Sequence, residues 1–210
     1  MINVFKNCKL GMFLLLVFCT MGELQAQKYN FESKAAKKLY NKLEKAYENY
    51  DYGYIVEIEQ DLLSNFEQKQ DTLSALVYSF LAESYYQGLG EFTKGLSYYK
   101  KELTLREKIQ KPDDYNRIEL LSSIASVSDE LGFYKESEKL YFEVLKGEEE
   151  EYGKKNEVYL NSVLNLAAHY VFSAEPDKGI DLLKEHERNF KKDFEEYPRF
   201  LTTFGQLYRD

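Results

Sequence analysis

Apolar residues recur every three or four positions along most of this chain, and the stretch 81–103 shows the pattern most clearly. This spacing is that of one face of an α-helix. The apolar positions of the stretch are Leu81, Ala82, Tyr85, Phe92, Leu96, Tyr99 and Leu103. Gly90 interrupts them where a helix would end in a left-handed residue, a conformation that glycine adopts without steric cost. The stretch therefore predicts two helices joined by a tight turn.

The same pattern returns twice more at a nearly constant interval. Ala82, Ala125 and Ala167 occupy equivalent places 43 and 42 residues apart, and Gly90 precedes Gly132 by 42 residues. A fixed interval of this size predicts a stacked array in which each helix pair packs mainly on its neighbours. An unrelated helical bundle is the alternative, but a bundle needs no fixed period.

With these markers the chain resembles a tetratricopeptide repeat (TPR) protein of the long-period type, about 42 residues, found in kinesin light chains and many exported bacterial proteins. The resemblance implies an all-α fold, a right-handed α-solenoid of antiparallel helix pairs. It also implies that the protein holds other polypeptides. The third copy departs from the pattern because its turn, Ser173–Ala174, lacks glycine.

Residues 27–70 hold two further helical patterns, from about Ser33 to Tyr50 and from about Tyr54 to Gln68. We interpret them as a divergent N-terminal helix pair, because terminal units of an array have one face in water and are atypical. Asp71 is expected to cap the next helix. The array itself occupies 71–210. Its predicted repeats are about 71–111, 113–152 and 155–192, with a half repeat at 196–210.

The half repeat would leave the apolar face of Phe200, Phe204 and Tyr208 uncovered. We therefore expect the natural protein to continue past Asp210, with a short C-terminal cap as the alternative. All prolines fall at predicted helix starts, where a missing N–H is tolerated. They are Pro112, Pro176 and Pro198.

Residues 1–26 have the features of a signal peptide. Lys6 and Lys9 precede the apolar run 11–22, which is too short to span a membrane, and Ala26 is a small residue before a cleavage site. We predict cleavage near Ala26 and export to the periplasm or the medium. An uncleaved N-terminal anchor is the alternative.

Charge and chemistry narrow the function further. Without the leader, which contains Cys8 and Cys19, the chain has 26 Lys and Arg against 35 Asp and Glu. This acidic balance disfavours nucleic acid and anionic membranes as partners, and we expect no membrane insertion of the mature fragment. His169 and His186 lack a catalytic motif and are expected to pack or to lie on the surface. The acidic run 148–151 is expected to be a solvated helix end. We predict no enzyme activity, no cofactor and no metal.

The resemblance implies a concave groove lined by the first helix of each repeat. The candidate groove residues are Glu83, Tyr86, Gln87, Asp129, Asn161, Phe172, Arg199, Gln206 and Arg209. Family members that hold the C-terminal carboxylate of chaperones use Lys and Asn there, and Glu83 and Asp129 depart from that. A basic or mixed peptide fits better, and a groove without a natural ligand is the alternative.

The predicted function is a non-catalytic, exported scaffold that binds a protein segment in this groove. The alternative is the N-terminal sensing or regulatory arm of a longer protein. Such a protein would carry a CHAT-type peptidase, a membrane sensor kinase or a transcription regulator beyond residue 210.

Overall fold

The computed structural model describes residues 31–109 and 115–209, and the predicted signal peptide and Pro112 lie outside them. Within these ranges the chain is helical and has no β-strand. The helices are α1 (Lys34–Glu48), α2 (Tyr52–Glu57), α3 (Glu59–Phe66), α4 (Thr72–Glu83), α5 (Phe92–Ile109), α6 (Tyr115–Glu130), α7 (Tyr134–Tyr152), α8 (Glu157–Phe172), α9 (Pro176–His186) and α10 (Tyr197–Leu207).

The helices stack in chain order. From α4 onward, each helix up to α9 packs against the next, and α10 packs on α8 and α9. Helix α6 also contacts α8. Substantial contacts in the described chain join helices no more than two places apart, which is the contact pattern of a helical array. We call α4, α6, α8 and α10 the first helices, and their shared surface the inner face.

Helix starts follow the local sequence. Asp71 caps α4, because its carboxylate accepts from the Ser74 amide at 2.9 Å and the Ser74 hydroxyl reaches back to the Asp71 amide. Pro176 is the first residue of α9 and Pro198 the second of α10. The expected cap and these two proline positions therefore agree with the structure.

The N-terminal pair differs from its prediction at one place. The second pattern forms two helices, α2 and α3, rather than one, with a bend at Ile58 (φ −92°, ψ 10°). Backbone bonding continues across the bend, from the Ile58 amide to Tyr54 and from the Leu62 amide to Ile58. A bend at a single residue that keeps these hydrogen bonds leaves the apolar periodicity unchanged, so the sequence pattern does not reveal it.

The turns between paired helices share a left-handed residue. Gly90 has φ +66°, Gly132 +75° and Ala174 +56°, at intervals of 42 residues. The second and third turns share the same backbone hydrogen bond. The Phe133 amide donates to the Ser128 carbonyl oxygen, and the Glu175 amide donates to the Tyr170 carbonyl oxygen. The third turn thus keeps the geometry without the glycine.

A π-helical turn explains the one irregular interval. Residues Ser84–Gly88 form this turn at the end of α4. Ala82 lies eight residues before Gly90, whereas Ala125 lies seven before Gly132, so α4 holds one extra residue. A π turn accommodates an inserted residue without ending the helix.

The buried apolar residues form two large clusters that meet along α6. Leu120, Ile124 and Val127 pack with the N-terminal helices, whereas Ala125 packs with α7 to α10. Leu121 belongs to a small third cluster between them. Ala82, Ala125 and Ala167 are all completely buried, as their equivalent places require.

Candidate functional site

The first helices distribute the predicted groove residues over a range of burial. Gln87, Phe172, Gln206 and Arg209 are exposed, Glu83, Tyr86, Asn161 and Arg199 are half-buried, and Asp129 is buried.

The acidic part of the inner face surrounds Tyr86, whose ring packs edge-on against Phe92. Burial raises the pKa of the Tyr86 hydroxyl, and the nearby carboxylates of Glu130, Glu83 and Asp129 raise it further. Burial also raises the pKa of Glu83, although a hydrogen bond from the Tyr99 hydroxyl acts to lower it. Negative charge therefore converges on one aromatic side chain between α4 and α6.

Asp129 is not open to a groove ligand, which corrects its expected exposure. Its Oδ1 lies 2.7 Å from Nδ1 of His169 and accepts a hydrogen bond from the Ser137 hydroxyl. Asp129 lies at the end of α6, where the close approach of α7 and α8 covers it. Helical periodicity alone does not reveal this covering.

Asp129, Ser137 and His169 do not form a catalytic triad. Both the Ser137 Oγ, at 3.2 Å, and the Asp129 carboxylate contact the same His169 nitrogen, Nδ1. In a triad the serine and the carboxylate lie on opposite ring nitrogens. Ser137 is also completely buried, so no substrate reaches its hydroxyl. The trio instead satisfies buried polar groups between three helices.

A stripe of side chains along α8 offers amides and an aromatic ring. Asn161, Asn165 and Phe172 are spaced by four and seven residues and therefore share one helix face. The Asn161 Oδ1 is buried and has no hydrogen-bond partner within the described residues. Asn165 accepts a hydrogen bond from Arg199 of α10. Phe172 is 60% exposed.

Arg199 and Asn165 connect the last two first helices. Burial lowers the pKa of Arg199, and the charges of Glu196 and Tyr141 oppose that shift. The sequence indicated Arg199 but not Asn165, although the four-residue step from Asn161 was a usable signal. Basic character at this end is completed by the exposed Arg209.

His186 and the acidic run 148–151 are also placed by the structure, and only the acidic run departs from its expectation. His186 is buried, with Nε2 3.1 Å from the Tyr159 hydroxyl and Nδ1 3.0 Å from the Leu182 carbonyl oxygen, so it packs as expected. In the acidic run 148–151, only Glu149, Glu150 and Glu151 are exposed. Glu148 is buried, because successive helical residues point about 100° apart and one of four faces inward.

Within residues 31–109 and 115–209, none of the helices combines the length and apolar character that crossing a bilayer requires. This finding concerns the helical array alone.

Solved structures resemble this chain over most of its length. A putative kinesin light chain of Podosopora anserina with nearly identical TPR-like repeats matches it with a TM-score of 0.65 at 17% sequence identity, over 84% of this chain and 87% of that chain. BtubC (BKLC) of P. vanneervenii matches with a TM-score of 0.65 at 15% identity, over 80% and 69%. The chain has a TPR-like repeat fold.

The predicted all-α solenoid is thereby confirmed. No family model matches the sequence, and no curated protein matches it by sequence.

Proposed function

We propose that this TPR-like chain is a non-catalytic scaffold, exported by its leader, that binds an extended segment of a partner protein on its inner face. The observation that carries the proposal is the exposed ring of Phe172, which shares one face of α8 with the half-buried Asn161 and Asn165.

The amide side chains suit a peptide backbone. Asn carries both an acceptor oxygen and a donor NH2, and an extended peptide presents N–H and C=O groups in alternation. Phe172 supplies exposed apolar area about two turns further along the same face, and a large aromatic side chain is typical of an anchoring residue in an interface. Together they recognise a backbone and one apolar side chain.

Charge along the inner face sets the direction of the proposed segment. The part between α4 and α6 holds Glu83, and α10 carries Arg199 and Arg209. A segment with basic residues toward α4 and acidic residues toward α10 is therefore complementary to it.

The proposed export is supported by the leader, in which Lys6, Lys9 and an apolar run precede the small Ala26.

The test is a pull-down from an envelope extract with three proteins: the unmodified chain, Phe172→Ala and Phe142→Ala. Phe142 is a matched control, since it is 52% exposed but lies on α7, a second helix. We expect Phe172→Ala to weaken capture of the partner at least 10-fold and Phe142→Ala to leave it unchanged.

Equal loss in both variants would contradict binding on the inner face. Recovery of no saturable partner by the unmodified chain would contradict the scaffold function itself. Asn161→Ala is expected to weaken binding in the same direction as Phe172→Ala, because it removes a half-buried amide side chain from the face of α8 that the partner would contact.

A further inference from the structure

Three potential metal ligands converge where α7, α8 and α9 meet. Glu138 of α7, His169 of α8 and Glu175, just before α9, each place one ligand atom within 4.8 Å of the other two. They come from three separate elements, so the fold rather than the local sequence brings them together. No short motif in the sequence indicates this cluster.

His169 is held as metal-binding histidines usually are. It is 1% exposed, and its Nδ1 lies 2.7 Å from the Asp129 carboxylate. A carboxylate behind one ring nitrogen fixes the tautomer and leaves the lone pair of the other nitrogen free to bind a metal. In the described part of the chain, Nε2 of His169 has no hydrogen-bond partner.

Aromatic rings hold this imidazole in one orientation. The rings of Tyr134, Tyr141 and Tyr170 lie 6.1, 5.8 and 5.2 Å from it, centroid to centroid. A ring fixed by packing on several sides and by a hydrogen bond at Nδ1 loses little freedom when it coordinates a cation.

The cluster already attracts a positive charge. The Lys178 ammonium lies 3.0 Å from Glu138 and 2.9 Å from Glu175, and bridges the two carboxylates. Burial disfavours the Glu138 carboxylate, but hydrogen bonds from Lys178 and Tyr170 outweigh it and hold the pKa of Glu138 below its usual range. The Lys178 side chain is 48% exposed, so it can turn into solvent and leave both carboxylates free.

We propose that Glu138, His169 and Glu175 form a binding site for a divalent transition-metal ion, with Zn²⁺ as the best-fitting ion, in which the metal replaces the Lys178 ammonium. One imidazole and two carboxylates suit Zn²⁺, whereas Ca²⁺ and Mg²⁺ prefer oxygen ligands alone. Zn²⁺ bonds of about 2.0–2.2 Å require the three ligand atoms to close by about 1 Å. The flexible, partly exposed Glu138 and Glu175 side chains allow this movement.

A metal at this place would join two repeats. Glu138 belongs to the helix pair α6–α7, whereas His169 and Glu175 belong to the pair α8–α9. The ion would stabilise the interface between these pairs, and three protein ligands leave a fourth position open to water or to a side chain of a partner.

The test is a Zn²⁺ titration of the full chain carrying Cys8→Ser and Cys19→Ser, so that leader thiols do not compete. The protein has two histidines, and their ring signals in NMR spectra provide an internal comparison. We expect the His169 ring signals to shift with one equivalent of Zn²⁺ bound and those of His186 to stay in place.

Three variants of that protein test the assignment by competition with a chelating dye. Glu175→Gln is expected to weaken Zn²⁺ binding at least 10-fold, and Lys178→Met to strengthen it at least 10-fold because the competing ammonium is gone. Glu136→Gln is the matched control: it removes the same charge from an exposed residue of α7 that pairs with Lys100, and leaves the affinity unchanged.

Both test positions have partly exposed side chains, 42% for Glu175 and 48% for Lys178, so their replacement leaves the core intact. An unshifted His169 signal at 1 mM Zn²⁺ would overturn the proposal. So would equal weakening in Glu175→Gln and Glu136→Gln, or weaker binding in Lys178→Met.

Discussion

A buried carboxyl on α7 makes the stability of this protein depend on pH. Glu148 accepts a hydrogen bond from Ser162 at 3.0 Å, but its other oxygen is buried without a hydrogen-bond partner among the residues that the structure describes. Burial raises the pKa of Glu148 to about 7; the Ser162 hydrogen bond opposes the shift and the Glu151 charge adds to it. Because the folded state holds the proton of Glu148 more tightly than the unfolded state, the contribution of Glu148 to stability falls as the pH rises from about 4.5 to 7 and is level above that.

Glu148→Gln should remove the part of the pH dependence that Glu148 contributes, whereas Glu102, whose pKa burial also raises to about 7, contributes a separate part. At pH 8 the variant is expected to be more stable by about 1–3 kcal/mol, the cost of a buried group left unsatisfied, and at pH 5 nearly unchanged. Urea unfolding at the two pH values measures the difference. Glu150→Gln, an exposed change in the same helix, should have little effect at either pH, and a similar gain there would contradict the role of burial.

The turn after α8 offers a second test at a single residue. Ala174 has φ +56°, a conformation in which its Cβ is crowded and glycine is not. Ala174→Gly is expected to stabilise the protein by about 0.5–1 kcal/mol, and Gly132→Ala, 42 residues earlier at φ +75°, to destabilise it by a similar amount. Thermal unfolding of both variants checks the signs, and the same sign in both would be inconsistent with this explanation.

For single residues, the sequence predicted the place in the repeat better than the neighbours that cover each side chain. The buried Ala82, Ala125 and Ala167 and the left-handed Gly90 and Gly132 follow from spacing alone. Burial of Asp129 and Glu148 does not, because it depends on which neighbouring helix covers each side chain. The cluster around His169 was also unpredictable, since its members are brought together only by packing of separate helices.

At the level of the helix, the end of α4 depends on the absence of a side chain. A Cβ on Gly88, in the π-helical turn, would lie 2.3 Å from the Tyr52 Cβ and 2.5 Å from its Cγ. The π turn and the start of α2 therefore approach each other as closely as they do only because residue 88 is glycine.

Gly88→Ala should destabilise the protein by about 2 kcal/mol or more, because α2 must move away from the end of α4. Gly205→Ala is the matched control, since a Cβ there meets nothing within 4 Å and α10 gains helix propensity worth about 1 kcal/mol. Denaturant unfolding of the two variants should give opposite signs. Equal effects would show that the contact with Tyr52 is not the cause.

Helix pairs were predictable because each presents a regular apolar face, and the irregular places were not. At Ile58 the chain changes direction between α2 and α3, and the π turn at Ser84–Gly88 adds one residue to the helix end. The 43-residue interval from Ala82 to Ala125 was a sequence signal of the extra residue in the π turn, since the other intervals are 42 residues.

For the whole molecule, the two apolar clusters that meet on α6 predict uneven stability. Leu164 is completely buried and belongs to the C-terminal cluster rather than to the N-terminal one. Leu164→Ala should cost about 2–5 kcal/mol, with the loss concentrated in α8 to α10, because an array transmits stability mainly between neighbours.

Hydrogen exchange of the folded protein measures this distribution. In Leu164→Ala, amides of α8 to α10 should exchange faster, whereas those of α4, which lies in the other cluster, should change much less. A uniform increase from α1 to α10 would instead indicate one cooperative core. The array was predictable as a whole because its interval is a property of the chain, whereas the position of the boundary between clusters depends on packing.

The equal spacing of Gly90, Gly132 and Ala174 has a consequence for how the length of this protein can change. Removing residues 90–131 would splice Leu89 directly to Gly132, so that one complete unit is lost and the new junction keeps the Leu-Gly dipeptide of the old one. A cut of any other size would set an apolar face against the wrong partner. Duplication or loss in whole units is therefore the change that this architecture tolerates best.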